Sequence, residues 1–375
     1  MPTTKNSLLY VSSSEYPSRS ANSVQVVKQS NAFSHQGYSV TILGRANYKD
    51  NFNNDVSGIT HVYGISRGVN LTLMKYRLIS GGARSALYPL WVAFSAFNKR
   101  PDIVYGRHAL GLLSAGLITR PKALIFECHG PLGRLESIAL RLLVMLKKLD
   151  QIVVISSALK NILVNLYPYL QQVETIVAHD GCEIPTPSQE HPSKLSVGYV
   201  GSFYRGRGLD LIAKLAFKLP AVHFHLIGGD ENQFTDITGI ELPKNVICHG
   251  RVSPAELHRF YKLFSVALAP YGKSVEVADG TNTVEYMSPL KIFEYMGHGK
   301  AVIASDLPVL REVLTDGVNA LLAKPDDLED WYNAILMLQD PITLETLSAN
   351  SIKDATFKHT WNTRAKLILE AVEQK

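Results

Sequence analysis

SPLKIFEYMGHGKAVIASDLP, residues 288–308, joins a polar turn, a helix carrying one well-placed acid, and a buried strand. The turn Ser288-Pro289-Leu290-Lys291 opens a helix whose free backbone N–H groups and positive dipole end favour a bound phosphate. Glu294 falls about one helical turn further on, where a carboxylate can accept from both hydroxyls of a ribose. Gly297 and Gly299 close the helix, and AVIASDL then has the continuous apolar character of a strand covered on both faces. The segment reads as a cradle for a nucleotide.

Outward from this stretch, short β-rich runs alternate with helix-like segments. The first half predicts strands at 7–13, 39–43, 102–106, 123–130, 151–156 and 173–181, with helices near 22–36, 134–149 and 157–166. EIPTPSQEHPSK, 183–194, has three prolines and no apolar periodicity, as a linker does. A second series follows at 195–203, 222–229, 245–250, 266–271, 301–307 and 319–324. Such alternation predicts an α/β protein with parallel sheets in two Rossmann-like halves.

A chain of 375 residues exceeds what one core usually organises, and 46% hydrophobic with 19% charged residues suits large buried sheets. The N-terminal apolar run is too brief for a signal peptide, and no run approaches the roughly 20 apolar residues of a membrane span. Cys128, Cys182 and Cys248 are odd in number and far apart, which suggests neither a disulfide framework nor a zinc site. These features fit a cytoplasmic protein.

The net charge of +5 is unevenly placed: Arg67, Lys75, Arg77, Arg84, Lys99, Arg100 and Arg107 face only Asp102 between Thr60 and His108. That asymmetry points to an anionic partner. No zinc-finger spacing or RNA-recognition signature supports nucleic acid.

The gapless pattern at 288–308 resembles the donor-binding signature of retaining glycosyltransferases of family four, glycosyl transferases group 1. The resemblance implies a GT-B fold, two Rossmann-like domains facing a central cleft: 1–183 for the acceptor, a linker at 184–194, and 195–355 for the nucleotide sugar. FKHTWNTRAKLILEAVEQ resembles the family's final helix, so 356–375 is expected to pack back on the first domain.

The loop GYVGSFYRGRGLDLI, 198–212, lets the backbone approach a ligand at Gly201 and Ser202, while Arg205 and Arg207 can neutralise a diphosphate. It is similar to the family's GRLxxxKG segment, with Arg207 at the lysine position and Ser202 where arginine is common. Read alone, such a loop is also an ordinary βα turn. His129, ending the strand ALIFECHG, is either a histidine satisfied by backbone or, as the resemblance implies, a contact to the transferred sugar. Glu127 shares its strand face and either orients the imidazole, meets an acceptor hydroxyl or is a solvated acid. The family's E-x7-E pair has Tyr286 in place of its first acid, with Glu285 adjacent, which leaves the donor sugar open. Arg251-Val252 sits where the family grips the base through backbone atoms.

The polar segment 269–287, with Asp279-Gly280-Thr281 near its tip, reads as an active-site loop or a plain surface loop. After the first strand, Arg19, Ser20 and Asn22 either contact the acceptor or, with Ser23, cap a helix. Arg134, Arg141 and Lys148 recur every seven residues, a basic face that either meets anionic lipid or is merely solvated.

The resemblance thus implies transfer of a hexose-type sugar, with retention, from a UDP- or GDP-sugar to a saccharide or lipid-linked saccharide in cell-surface glycan synthesis. Catalytic roles fall on His129, Arg205, Arg207 and Glu294; donor binding falls on Gly201, Ser202, Arg251, Val252, Tyr286, Ser288, Pro289, Leu290 and Lys291; acceptor binding falls on Arg19, Ser20, Asn22 and Glu127. No DxD-type metal motif is evident, and the nucleotide sugar is a co-substrate, so no metal and no cofactor are expected. Peripheral contact at the inner face of the plasma membrane suits a lipid-linked acceptor. The alternatives are a nucleotide-sugar epimerase of related fold or a non-catalytic binding protein. A nicotinamide dehydrogenase is discounted, because SSSEYPSRS stands where a G-x-G-x-x-G turn is needed.

Overall fold

The computed structural model describes residues 6–47, 62–63, 68–75, 82–186, 192, 194–275 and 280–373. The chain separates into two compact units, Met1–His179 with Trp361–Lys375, and Asp180–Thr360.

The first unit holds β1 (Ser7–Tyr16), β2 (Ser39–Ala46), β3 (Val69–Met74), β4 (Ile103–Gly106), β5 (Ala123–Cys128), β6 (Gln151–Val154) and β7 (Glu174–Val177). They form one sheet in the order β3-β2-β1-β4-β5-β6-β7, every pairing parallel. The central strands β4, β5 and β6 are buried throughout, because helices cover both faces of such a sheet. Helix α1 (Ala21–His35) is followed by α2 (Gly82–Lys99), α3 (Ala109–Ile118), α4 (Arg134–Met145) and α5 (Ser157–Leu166). Right-handed crossovers place the helices after β3, β4 and β5 on one face, and α2, α3 and α4 pack side by side there.

The second unit repeats the plan. Strands β8 (Ser196–Val200), β9 (His223–Ile227), β10 (Val246–Cys248), β11 (Val266–Ala269), β12 (Ala301–Ser305) and β13 (Leu321–Ala323) run parallel in the order β10-β9-β8-β11-β12-β13. Helices α6 (Leu209–Lys218), α7 (Glu231–Thr238), α8 (Leu290–Gly297), α9 (Leu328–Met337) and α10 (Pro341–Lys358) complete it. Its core gathers Val197, Tyr199, Ile212, Phe224, Leu268, Ile303 and Trp331. The strand order reverses direction at β1/β4 in one sheet and at β8/β11 in the other. In open sheets ligands sit beyond the carboxyl ends of the strands at this switch point.

The last helix, α11 (Trp361–Glu373), packs on α1 and belongs to the first unit. A boundary at 355 therefore falls inside α10, which runs on to Lys358. The first unit ends at His179, four residues before the expected edge, and the described residues of 184–194 count with the second. In the first unit, strand β3 and helices α2 and α3 are additions to the sequence reading.

Candidate active site

In the first unit the site is built on one buried carboxylate. Glu127 lies on β5 with 1% of its surface exposed, and both of its oxygens are engaged. Tyr10 Oη donates to Oε2 at 2.6 Å, while Gln25 Nε2 (2.7 Å), Arg364 Nη2 (2.6 Å) and His129 Nε2 (2.9 Å) all meet Oε1. Burial alone would raise the Glu127 pKa; the Arg364 guanidinium, then His129 and Arg107, overrule it and hold the carboxyl well below its usual range. Arg364 also donates to Gln29 Oε1 at 2.6 Å and to the carbonyl of His179 at 3.0 Å, and Arg107 donates to Gln25 Oε1 at 2.9 Å.

An ionised carboxylate can only accept, so His129 Nε2 carries the proton and Nδ1 is left as an acceptor. Burial, then the positive charge of Arg107, lowers the His129 pKa to about 4, which keeps the ring neutral near pH 7. His129 is thus a neutral acceptor clamped from behind. Two readings of Glu127 are corrected. It is not a solvated strand-end acid, and with both oxygens taken by protein donors it orients the imidazole instead of meeting an acceptor hydroxyl.

At the end of β1, Ser20 is the N-cap of α1, its Oγ accepting from Ser23 N at 3.3 Å, while Ser23 Oγ donates to the Glu15 carbonyl at 3.1 Å. Arg19, Ser20 and Asn22 are exposed around that helix start. The capping reading of Ser20 is the one the geometry supplies.

In the second unit β8 ends in a loop shaped by glycines. Gly201 has φ +151°, and a Cβ there would stand 2.9 Å from Lys291 Nζ. Gly208, with φ +73°, is the N-cap of α6, and a Cβ there would meet the Pro270 carbonyl at 2.1 Å, so the close turn admits no side chain. Ser202 and Arg205 are exposed, whereas Arg207 turns inward with its guanidinium 5.6 Å from the Tyr271 ring centre.

Lys291 enters the same place from the first turn of α8. Its side chain is buried, its Nζ has no hydrogen-bond partner, and it lies 3.9 Å from the Tyr199 ring centre and 5.1 Å from that of Tyr271. Burial, then the nearby charge of Arg207, pushes its pKa well below the ordinary lysine value. Two basic side chains therefore converge on Tyr271, with the open backbone of Gly201 against the lysine, whose Nζ is left without a hydrogen-bond partner among the described residues.

Around them, Pro289 is the N-cap of α8, and Leu290 begins the first turn, whose Ile292 amide donates to the Pro289 carbonyl at 3.0 Å. Ser288 Oγ accepts from the Asp180 amide at 3.0 Å. Tyr286 is buried, whereas Arg251 is exposed and Val252 half-buried after β10. Glu294 is half-buried, and its Oε2 accepts from Tyr261 Oη at 2.9 Å. The His298 ring stacks on Tyr261 with centres 3.9 Å apart, and its Nδ1 donates to the Glu294 carbonyl at 2.8 Å. Burial lowers the His298 pKa to about 4. Glu294 is thereby held by groups on both sides.

Asp279 lies outside the described residues, as do Arg67 and Arg77 of the basic cluster. Arg134 and Arg141 are exposed on α4, but that helix ends at Met145 and Lys148 turns back to donate to the Gly116 carbonyl at 2.6 Å. The seven-residue basic face is therefore two residues, not three. Sequence reading missed Tyr261, His298, Tyr199, Tyr271, Gln25, Arg107 and Arg364. Of these, Arg107 counted in the basic cluster, and Tyr199, Tyr271, His298 and Arg364 sat in segments already singled out; Gln25 lay in an expected helix, and Tyr261 in no segment that the sequence marked. Among the described residues no group of three or more His, Cys, Asp or Glu is placed to hold a metal, and no helix is long and apolar enough to cross a membrane.

Two α/β units, each built on a parallel sheet of this order, are the plan of the GT-B class. Residues 23–177 match the family model "Glycosyltransferase Family 4" and residues 194–340 match "Glycosyl transferases group 1". The chain belongs to this glycosyltransferase family. It is 24% identical over 274 residues to an uncharacterised glycosyltransferase of Methanocaldococcus jannaschii, covering 65% of this chain and 66% of that relative. The chain spans less than two thirds of the length of the curated relatives it matches. Among solved structures, sucrose-phosphate synthase from Thermosynechococcus elongatus superposes with a TM-score of 0.71 at 15% identity, over 99% of each chain. HepE of Anabaena, in complex with UDP and glucose, gives 0.68 at 17% identity, over 98% of this chain and 99% of that one. At these identities the likeness shows the fold.

Proposed function

We propose that this chain transfers a hexose-type sugar from a UDP- or GDP-sugar to a hydroxyl of a saccharide or lipid-linked saccharide, with retention at the anomeric carbon, in cell-surface glycan synthesis. The observation that carries the reading is the buried Lys291 Nζ, without a hydrogen-bond partner among the described residues, beside Arg207 and the open backbone of Gly201. A departing diphosphate supplies the missing charge, and fixed cations in a water-poor site stabilise charge that develops on it. Arg205 and the amides of Ser288, Leu290 and Lys291 join them, so the reaction needs no metal in this reading. Glu294, steadied by Tyr261, accepts from the ribose hydroxyls, and His129 Nδ1 accepts from a hydroxyl of the transferred sugar. The diphosphate itself takes the acceptor proton, so no protein base is required. The UDP held by the Anabaena neighbour favours a uridine donor. Peripheral contact with an anionic membrane, at the inner face of the plasma membrane, belongs to the same proposal.

The test is release of UDP or GDP from a panel of nucleotide sugars, with and without glycan acceptors, followed by the anomeric configuration of the product. Acceptor-dependent release with retained configuration supports the reading. Donor converted to its epimer without acceptor would assign an epimerase, and tight binding without turnover would assign a binding protein.

A further inference from the structure

We propose that the outer face of α2, α3 and α4 in the first unit docks on an anionic lipid surface. Helix α2 carries two apolar stripes. Tyr88, Val92 and Ala96 are buried toward the sheet, whereas Leu87, Leu90, Phe94 and Phe97, spaced three and four residues apart, point to solvent. Helix α4 repeats this: Ala139, Leu140 and Leu143 are buried, and Leu135, Ile138, Leu142 and Met145 are not. Between them α3 exposes Leu117 and Ile118. The exposures are large, 66% for Leu90 and Phe94, 63% for Leu135 and 69% for Met145. Soluble monomers seldom leave so many large apolar side chains together on one face.

The charge around this face selects the occupant. From Gly82 to Lys148 the sequence has ten Lys and Arg against three Asp and Glu. The three acids are engaged by protein donors: Asp102 by Ser7 and Lys122, Glu127 in its buried cluster, and Glu136 by the Gly133 amide. Lys99, Arg100, Arg120, Arg134, Arg141 and Lys147 are exposed. A second copy seated symmetrically would set these cations against themselves, whereas acidic headgroups complement them and the acyl boundary takes the apolar stripes. The proposal deepens the membrane part of the proposed function and rests on it for its purpose, since the surface brings a lipid-linked acceptor to the enzyme.

Vesicle co-sedimentation without donor or acceptor tests it. The protein should partition at least about tenfold more strongly to phosphatidylcholine vesicles containing phosphatidylglycerol than to phosphatidylcholine alone, and less as salt rises. Phe94→Glu with Leu142→Glu should lose about tenfold of that binding with circular dichroism and melting temperature unchanged. Arg134→Glu with Arg141→Glu should remove the preference for the acidic lipid. Equal binding to both vesicles, variants that bind like the native chain, or a dimer in sedimentation that the Phe94/Leu142 variant dissolves would each overturn it. Because no substrate is present, failure here leaves the transferase reading standing, and absent turnover leaves vesicle binding standing.

Discussion

A lysine buried without an acceptor destabilises its fold, so its retention needs a ligand or a partner. Lys291 is in that position, with aromatic rings on two sides and Arg207 nearby. Replacing it by Met keeps the volume and removes the desolvated charge. The ligand-free protein should then melt at the same temperature or higher, while affinity for the nucleoside diphosphate falls by about tenfold to a hundredfold, the worth of a charge-assisted hydrogen bond. Calorimetry on Lys291→Met checks both, and a variant that loses stability but keeps affinity would remove the lysine from the site. The helix start at Leu290 and the place of Glu294 one turn on were legible in the sequence because both are local features. The groups that hold them were not. Tyr261 reaches Glu294 from 33 positions away in the chain, and Arg364 reaches Glu127 from 237 away. No local pattern reports such partners.

At the scale of elements, the final helix is tied to the site by chemistry as well as packing. Arg364 on α11 carries the charge that keeps Glu127 ionised, and Glu127 fixes the His129 ring on β5. Arg364→Met leaves a buried carboxylate without its guanidinium and should cost about 3–5 kcal/mol in denaturant unfolding. Adding Glu127→Met should recover much of the loss, a coupling that a double-mutant cycle reads directly. Additive losses would show that the pair does not act as a unit. The helix itself was readable from its resemblance to the family's final helix, but nothing local marks its arginine. Strand β3 escaped for a different reason: VNLTLM is an edge strand of intermediate burial, so it lacks the continuous apolar run that marked β4 to β6. The sevenfold spacing of Arg134, Arg141 and Lys148 misled because periodicity assumes that a helix continues. Lys147, with φ +52°, marks where this one has already ended.

For the whole molecule, alternation of β and α runs was enough to predict parallel sheets in two halves, though not the strand order whose single reversal both sheets share. Four half-buried histidines add a property that the pattern does not contain. His108, His129, His225 and His298 are each lowered from an ordinary 6.5 to about 4, first by burial. The unfolded chain therefore binds more protons than the folded one between these values. Stability should be full above about pH 6.5 and fall as the pH drops toward 4. Melting temperature followed across that range at constant ionic strength checks the sign; a flat profile would mean that these imidazoles are not held neutral.

The most direct test of the central claim is thermal stabilisation of the purified protein by UDP, GDP, ADP and NAD in parallel. A ligand at one hundred times its dissociation constant should add about 2.7 kcal/mol to the folded state. The account predicts a clear rise in melting temperature with UDP or GDP, cut to about half or less in Lys291→Met at the same ligand concentration. A rise with NAD alone, or one that Lys291→Met leaves intact, would contradict it.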